Sequence, residues 1–444
     1  MKNIILILVP LLLITACAKD LNQVPPLEAE TSSLTSFGGV LNAAYFYQQA
    51  AATPMAVMGD FRADNMFMRE APFSSFDKFD ADLGGGDLAG QFFRPFYSAL
   101  YKAILSANNV IDNSKDAKQV GEAKFLRALS YFKLVLAFGD VTVNLSPSPS
   151  VTDKSFLARK PAATVYNDVI IPDFLAAIAA LDNAGLTTGR ASKIAAQGFL
   201  GKVYMQMGRY SDAQTQLAAV ISGATAAKIS LKTNFADIFG EVNELNSEIL
   251  FSTRISTSIS TGYSYTLFAA WFAGADTKSP NPLDPSLTAA FNAMDNTDPG
   301  GKKDLRRALT TDEVNKKGKK WGGLGQDWIE LRLADVILLN AEALNETGSP
   351  ATTVLPLLTP IRTRAGLTAL NPVVTSTKAL VKQAILNERR LELALEGHRW
   401  FDLVRNGAVD AEMKLAVNKN YYVFPIPSSE VLASGGVITQ NAGY

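Results

Sequence analysis

Apolar residues recur at helical spacing through most of the chain. Val120–Asp140 is built from good helix formers, and Gly139 is placed to cap it. Asn167–Leu181 keeps the same period, although Pro172 is expected to kink or interrupt it. Ser192–Ile221 reads as two helices broken at Gly208-Arg209. Leu331–Gly348 and Lys378–Gly397 continue the pattern into the second half. Alternating β-branched stretches are short and scattered, so the pattern predicts an all-α (mainly α) fold.

Wound at about 3.6 residues per turn, Lys378–Glu396 places Val381, Ala384, Ile385, Leu391 and Leu395 on one face. Glu388 falls in the middle of that face and Glu392 beside it. A carboxylate buried there needs a cation, and Arg332, Arg362, Arg364 and Arg399 are the candidates. Gly397 is expected to close the helix. His398, the single histidine, follows with Arg399 and Trp400, amid apolar residues dense enough for a core. Glu388, Glu392, Gly397, His398, Arg399 and Trp400 are therefore read as structural. A histidine just past a helix end is well placed to meet free carbonyls, and no local motif supplies a nucleophile and an orienting acid for it.

From Leu200 the order Gly201, Tyr204, Gly208, Tyr210, Ala213 resembles the tetratricopeptide repeat, in which small residues let two helices approach. Ala341, Leu344, Gly348 and Ala351 are a weaker echo. Diverged helical pairs are expected rather than a regular array. Long irregular segments separate them, at 58–90, 143–155, 257–285 and 295–328, and ordered loops of this length usually carry function.

The N-terminus is a leader. Lys2 precedes an apolar run from Ile4 to Ile14, too short to span a bilayer comfortably. The run ends in Ile14-Thr15-Ala16-Cys17, which resembles the lipobox of bacterial lipoproteins. That resemblance implies cleavage after Ala16 and lipidation of Cys17. Each buried CH2 of an acyl chain adds roughly 0.8 kcal/mol, so two chains hold a protein firmly at a membrane. No second long apolar run is apparent, so the mature chain is not expected to span the membrane. Residues 1–16 are read as a signal peptide and 17–33 as a lipidated tether. Residues 34–250 and 251–444 form two regions packed as one body.

Composition removes several chemistries. Lys+Arg and Asp+Glu are both 42, which leaves no general basic field for nucleic acid. One cysteine and one histidine exclude an internal disulfide and the usual zinc sites. The Asp80–Gly85 stretch fails the EF-hand pattern at its fifth position, so no metal is placed, and no cofactor is implied.

Asn387–Gly407, Leu331–Gly348, Ile361–Leu367 and Val423–Tyr444 resemble the C-terminal signatures of the SusD/RagB family of outer-membrane nutrient-binding lipoproteins. Ala123–Val141 and Asp60–Phe67 are similar to the family's first half. Val141 and Ala442 stand where a proline is common in the family, which weakens local turn predictions only. The resemblance implies four tetratricopeptide-like helix pairs carrying ligand-binding loops. It implies a surface-exposed lid over a SusC-type TonB-dependent transporter, capturing a glycan or in some members a peptide, with no catalytic residues.

A sugar offers apolar faces to aromatic rings and hydroxyls to polar side chains. The long loops supply both, in Arg62, Asp64, Asn65, Phe67, Tyr263, Tyr265, Trp271, Trp321, Gln326 and Trp328, the candidate ligand-binding residues. Two other classes stay open. A secreted glycoside hydrolase would use two carboxylates, a residue type the chain has in plenty. A helical-repeat adaptor would bind proteins only.

Overall fold

In the computed structural model the described residues are 36–150, 153–255 and 267–444. Gly38–Tyr444 forms one compact unit. Cys17, the leader and the tether lie outside the described residues, as do Tyr263 and Tyr265.

The scaffold is a succession of helical hairpins. Helices α1 (Gly38–Ala56) and α2 (Arg94–Asn113) pack together, then α3 (Ala117–Phe138) on α2 and α4 (Ala162–Ala180) on α3. Helices α5 (Lys193–Gln206) and α6 (Tyr210–Gly223) form the third pair. After α7 (Pro285–Thr297), the fourth pair is α8 (Leu333–Glu346) with α9 (Ala351–Arg364), and α8 also contacts α6. Helix α10 (Lys378–Glu392) packs on α8 and α9, and α11 (Arg399–Asn406) follows. This is the mainly helical, tetratricopeptide-like arrangement that the hydropathy pattern points to.

Local chemistry sets the ends. Asp116 accepts from the N–H groups of Lys118 and Gln119 to open α3, and Gly139 follows its last residue. Ser192, Asp284 and Thr377 cap α5, α7 and α10 in the same way. Pro172 does not break α4; the interruption is a wider π turn at Tyr166–Ile170, just before it. Pro356 and Pro360 both sit inside α9. They lie four residues apart, both on the exposed face, which is where a helix best tolerates the lost backbone hydrogen bonds. Helix α4 is long and apolar enough to cross a membrane by length and composition, so the expectation of no second apolar run was too strict. It packs between α3 and α5 as a scaffold helix.

Two boundaries differ from the hydropathy reading. The run starting at Leu331 is not yet helix: β2 (Trp328–Arg332) pairs antiparallel with β1 (Ile249–Thr253), and α8 begins at Leu333. Both strands are buried throughout; β1 shows no half-polar alternation, and the alternation of β2, Ile329-Glu330-Leu331-Arg332, is too short and runs straight into the helical pattern of α8. Helix α10 ends at Glu392, a turn before Gly397. Leu395 and Gly397 then both take positive φ. The tightness of this turn is enforced by Gly59: a Cβ there would lie 2.2 Å from the Gly397 carbonyl carbon.

Candidate functional site

The buried carboxylates of α10 are paired, and the pairing is wider than the sequence suggested. Glu388 accepts from Arg306 (2.7 Å) and Arg362 (3.0 Å). Glu392 accepts from Arg306 (2.9 Å), Arg332 (2.6 Å) and Arg364. Glu396 is held by Arg332 and Lys320. Arg306, inside the charged 295–328 segment, was not among the expected partners, and Arg399 turns instead to Asp64 and Glu412. Buried charges in this number persist because each is matched by ionic hydrogen bonds. His398 opens α11, its Nδ1 3.2 Å from Lys202 Nζ. Loss of solvent around the ring and the Lys202 charge lower its pKa to about 4, despite Asp335, Asp402 and Glu396 nearby. Trp400 is buried, stacked on Phe79 and donating to the Tyr422 carbonyl.

Most of the residues expected to meet a ligand lie inside the protein. Arg62 is fully buried, donates to the carbonyls of Phe76 and Tyr421, and lies over the Phe79 ring. Asp64 is clamped by Arg399 and Arg390. Asn65 donates to Asp60. Trp271 packs edge-on against Phe73. Trp321 stacks on Trp328 at 5.3 Å between ring centroids, and its N–H donates to the Leu395 carbonyl. Gln326 accepts from Gly322 N–H. Arg62, Asp64, Asn65, Trp271, Trp321, Gln326 and Trp328 are therefore corrected from ligand-facing to interior positions. These loops fold back on the scaffold, and an aromatic ring gains more from full burial than from one exposed face. Phe67 stays half-buried, with the Arg69 guanidinium 4.2 Å above its ring.

An open cleft of about 230 Å³ lies elsewhere, between α1, the turn at 188–190 and the end of β1 at 252–254. That volume lies a little below the usual range of small-molecule sites, roughly 300–1,000 Å³, as suits an open groove rather than an enclosed pocket. Asn42, Tyr45, Phe46 and Gln49 come from α1, Arg190 from the turn before α5, and Arg254 from the end of β1. Tyr45 donates to Glu122 (2.6 Å) and accepts from Ala191 N–H (2.9 Å), which locks its ring in the wall. Arg190 lies over that ring and donates to Glu122 and to Asn42. Gln49 donates to the Arg254 carbonyl. Asp327 accepts from Ile255 N–H and sits against Arg254; burial raises its pKa to about 6, against those two contacts. The signal missed in the sequence is the run Tyr45-Phe46-Tyr47: on a helix, adjacent side chains point about 100° apart, so three aromatics in a row cannot all face the core.

Two family models match the chain side by side. Residues 32–205 match one described as starch-binding associating with outer membrane, and residues 305–422 match the SusD family. The chain is SusD-like. A SusD-like protein from Formosa agariphila is 24% identical over 409 residues, covering 79% of this chain and 80% of that protein. Among solved structures, a SusD superfamily protein from Bacteroides thetaiotaomicron VPI-5482 superposes with a TM-score of 0.74 at 23% identity, covering 91% of this chain and 99% of that one. A laminarin-binding SusD-like protein superposes at 0.69 and 23% identity, covering 94% of this chain and all of that one. The structural likenesses establish that this SusD-like chain shares their fold.

Proposed function

We propose that this SusD-like protein captures a carbohydrate oligomer at the outer membrane and delivers it to a SusC-type TonB-dependent transporter, acting as its lid. In this reading it is held at the cell surface by lipid on Cys17 and breaks no bond. The observation that carries capture is the α1 cleft, which sets an aromatic wall beside amide and guanidinium donors, as recognition of sugar faces and hydroxyls requires. The fold shared with a laminarin-binding protein supports the same reading.

Incubating the full chain with polysaccharides and with peptide pools tests it. Retarded migration in a polysaccharide gel, with no new reducing ends, is the expected result. New reducing ends would replace the reading with the hydrolase, and binding of peptides alone would replace it with the peptide-binding form. Cys17→Ala should move the protein out of the membrane fraction and reduce uptake. Unchanged uptake would end the tethered-lid part.

A further inference from the structure

The α1 cleft has two guanidiniums at its mouth, yet both are already committed to carboxylates. Arg190 donates from Nε to Glu122 at 2.7 Å and from Nη1 to Asn42 at 2.9 Å. Arg254 sets Nε 3.1 Å from Asp327 and Nη2 3.3 Å from Glu244. Thr253, which lines the cleft, donates its hydroxyl to Glu330 at 2.6 Å, and Lys133 neutralises that carboxylate at 2.5 Å. Arg190 and Arg254 are the charged side chains that line the cleft, and the three carboxylates paired with them from outside the lining, Glu122, Glu244 and Asp327, outnumber them.

An anionic ligand has to displace one of these carboxylates from its cation, leaving a largely buried charge unpaired, or else bind beside the excess negative charge. An uncharged ligand does neither. A guanidinium has five N–H donors, so it can donate to a hydroxyl oxygen without displacing a carboxylate. The Phe46 side chain adds an apolar surface for C–H groups.

We infer that this cleft selects uncharged oligosaccharides and rejects those bearing carboxylate or sulfate groups. The inference rests on the capture reading above and adds the ligand's charge class. Calorimetric titration of the full chain tests it, with neutral β-1,3- and α-1,4-glucan oligosaccharides, polyuronate oligosaccharides and a sulfated galactan, each at low and high salt. Expected is binding of a neutral glycan that salt leaves unchanged, with no measurable binding of either polyanion. Phe46→Ala and Asn42→Ala should each weaken the neutral glycan by about tenfold, the scale of a contact in a buried interface centre. Glu244→Gln, which keeps an acceptor oxygen but removes the charge beside Arg254, should make polyuronate binding measurable. Tighter binding of a polyanion that falls away with salt would overturn the inference while leaving capture standing. So would neutral binding untouched by both α1 variants, since the selection would then lie elsewhere. Failure of every polysaccharide to bind would remove capture and the inference together.

Discussion

Glu392 shows how single residues are tuned in this protein. Burial alone would raise its pKa, but Arg364, Arg332 and Arg306 hold the carboxyl well below the usual range. Arg306 is the keystone, since it also satisfies Asp304 and Glu388. Arg306→Met should lower unfolding stability by about 3–5 kcal/mol, because it strands buried carboxylates rather than removing a whole network. A loss below about 1 kcal/mol in urea denaturation would show the cluster to be replaceable at that point. His398 carries a different prediction. Its folded pKa near 4 lies below the unfolded value of about 6.5, so the unfolded chain takes up the proton first as pH falls. Stability from this group is complete above about pH 6.5 and declines toward pH 4, by about 3 kcal/mol in all. Asp60 runs the other way: burial raises it to about 6, so its contribution is present at low pH and lost as pH rises through 6. The two oppose each other, so the histidine is best isolated by difference. The stability of wild type minus that of His398→Gln should fall from pH 6.5 to 4; a flat difference would show that the ring is not held neutral.

At the scale of elements, close contacts between backbones decide the geometry. Asp60 follows Gly59 in the π turn after α1 and accepts from Leu395 N–H and Gly397 N–H, pinning the turn beyond α10. Gly59→Ala places a methyl against the Gly397 backbone, which cannot rotate away as a side chain could. A cost of about 1–3 kcal/mol, toward the upper end, is expected from overpacking. Gly39→Ala, with nothing within 4 Å of the added carbon, is the control and should be neutral or slightly stabilising. Equal effects of the two substitutions would refute the contact. The helix pairs behave similarly. A Cβ at Gly201 on α5 would lie 2.6 Å from Leu217 on α6, which is why a small residue there was a readable sign of paired helices. The β1–β2 ladder was not read, because the alternation at Ile329–Arg332 spans only four residues and passes without a break into the helical pattern of α8, while β1 does not alternate at all.

Across the whole molecule, the ion network joins segments distant in the chain: Glu248 before β1, Arg306 and Lys320 in the charged segment, Arg364 on α9 and Glu392 on α10. Gly38–Tyr444 should therefore unfold as one unit. Trp271, Trp321, Trp328 and Trp400 are all buried, so tryptophan fluorescence reports side-chain packing in the second half of the chain, including β2 and α11, while far-UV circular dichroism reports the helices. The two denaturation curves should coincide; separated midpoints would mean that the packing around the tryptophans is lost independently of the helical hairpins.

The mainly helical class, the paired hairpins and the need for cations opposite Glu388 were legible in the sequence, because helical periodicity, caps, small residues and a charge on an apolar face are local features. The direction in which each loop aromatic points was not. Trp321 and Trp328 look like platforms in sequence and stack inside the protein, while Phe46, on an ordinary helix, lines the cleft. Burial is settled by which surfaces meet after the chain folds back on itself, at sequence separations of tens to hundreds of residues. The cleft belongs to that level: α1, the turn at Arg190 and the end of β1 become one surface only when the helices and the ladder have packed.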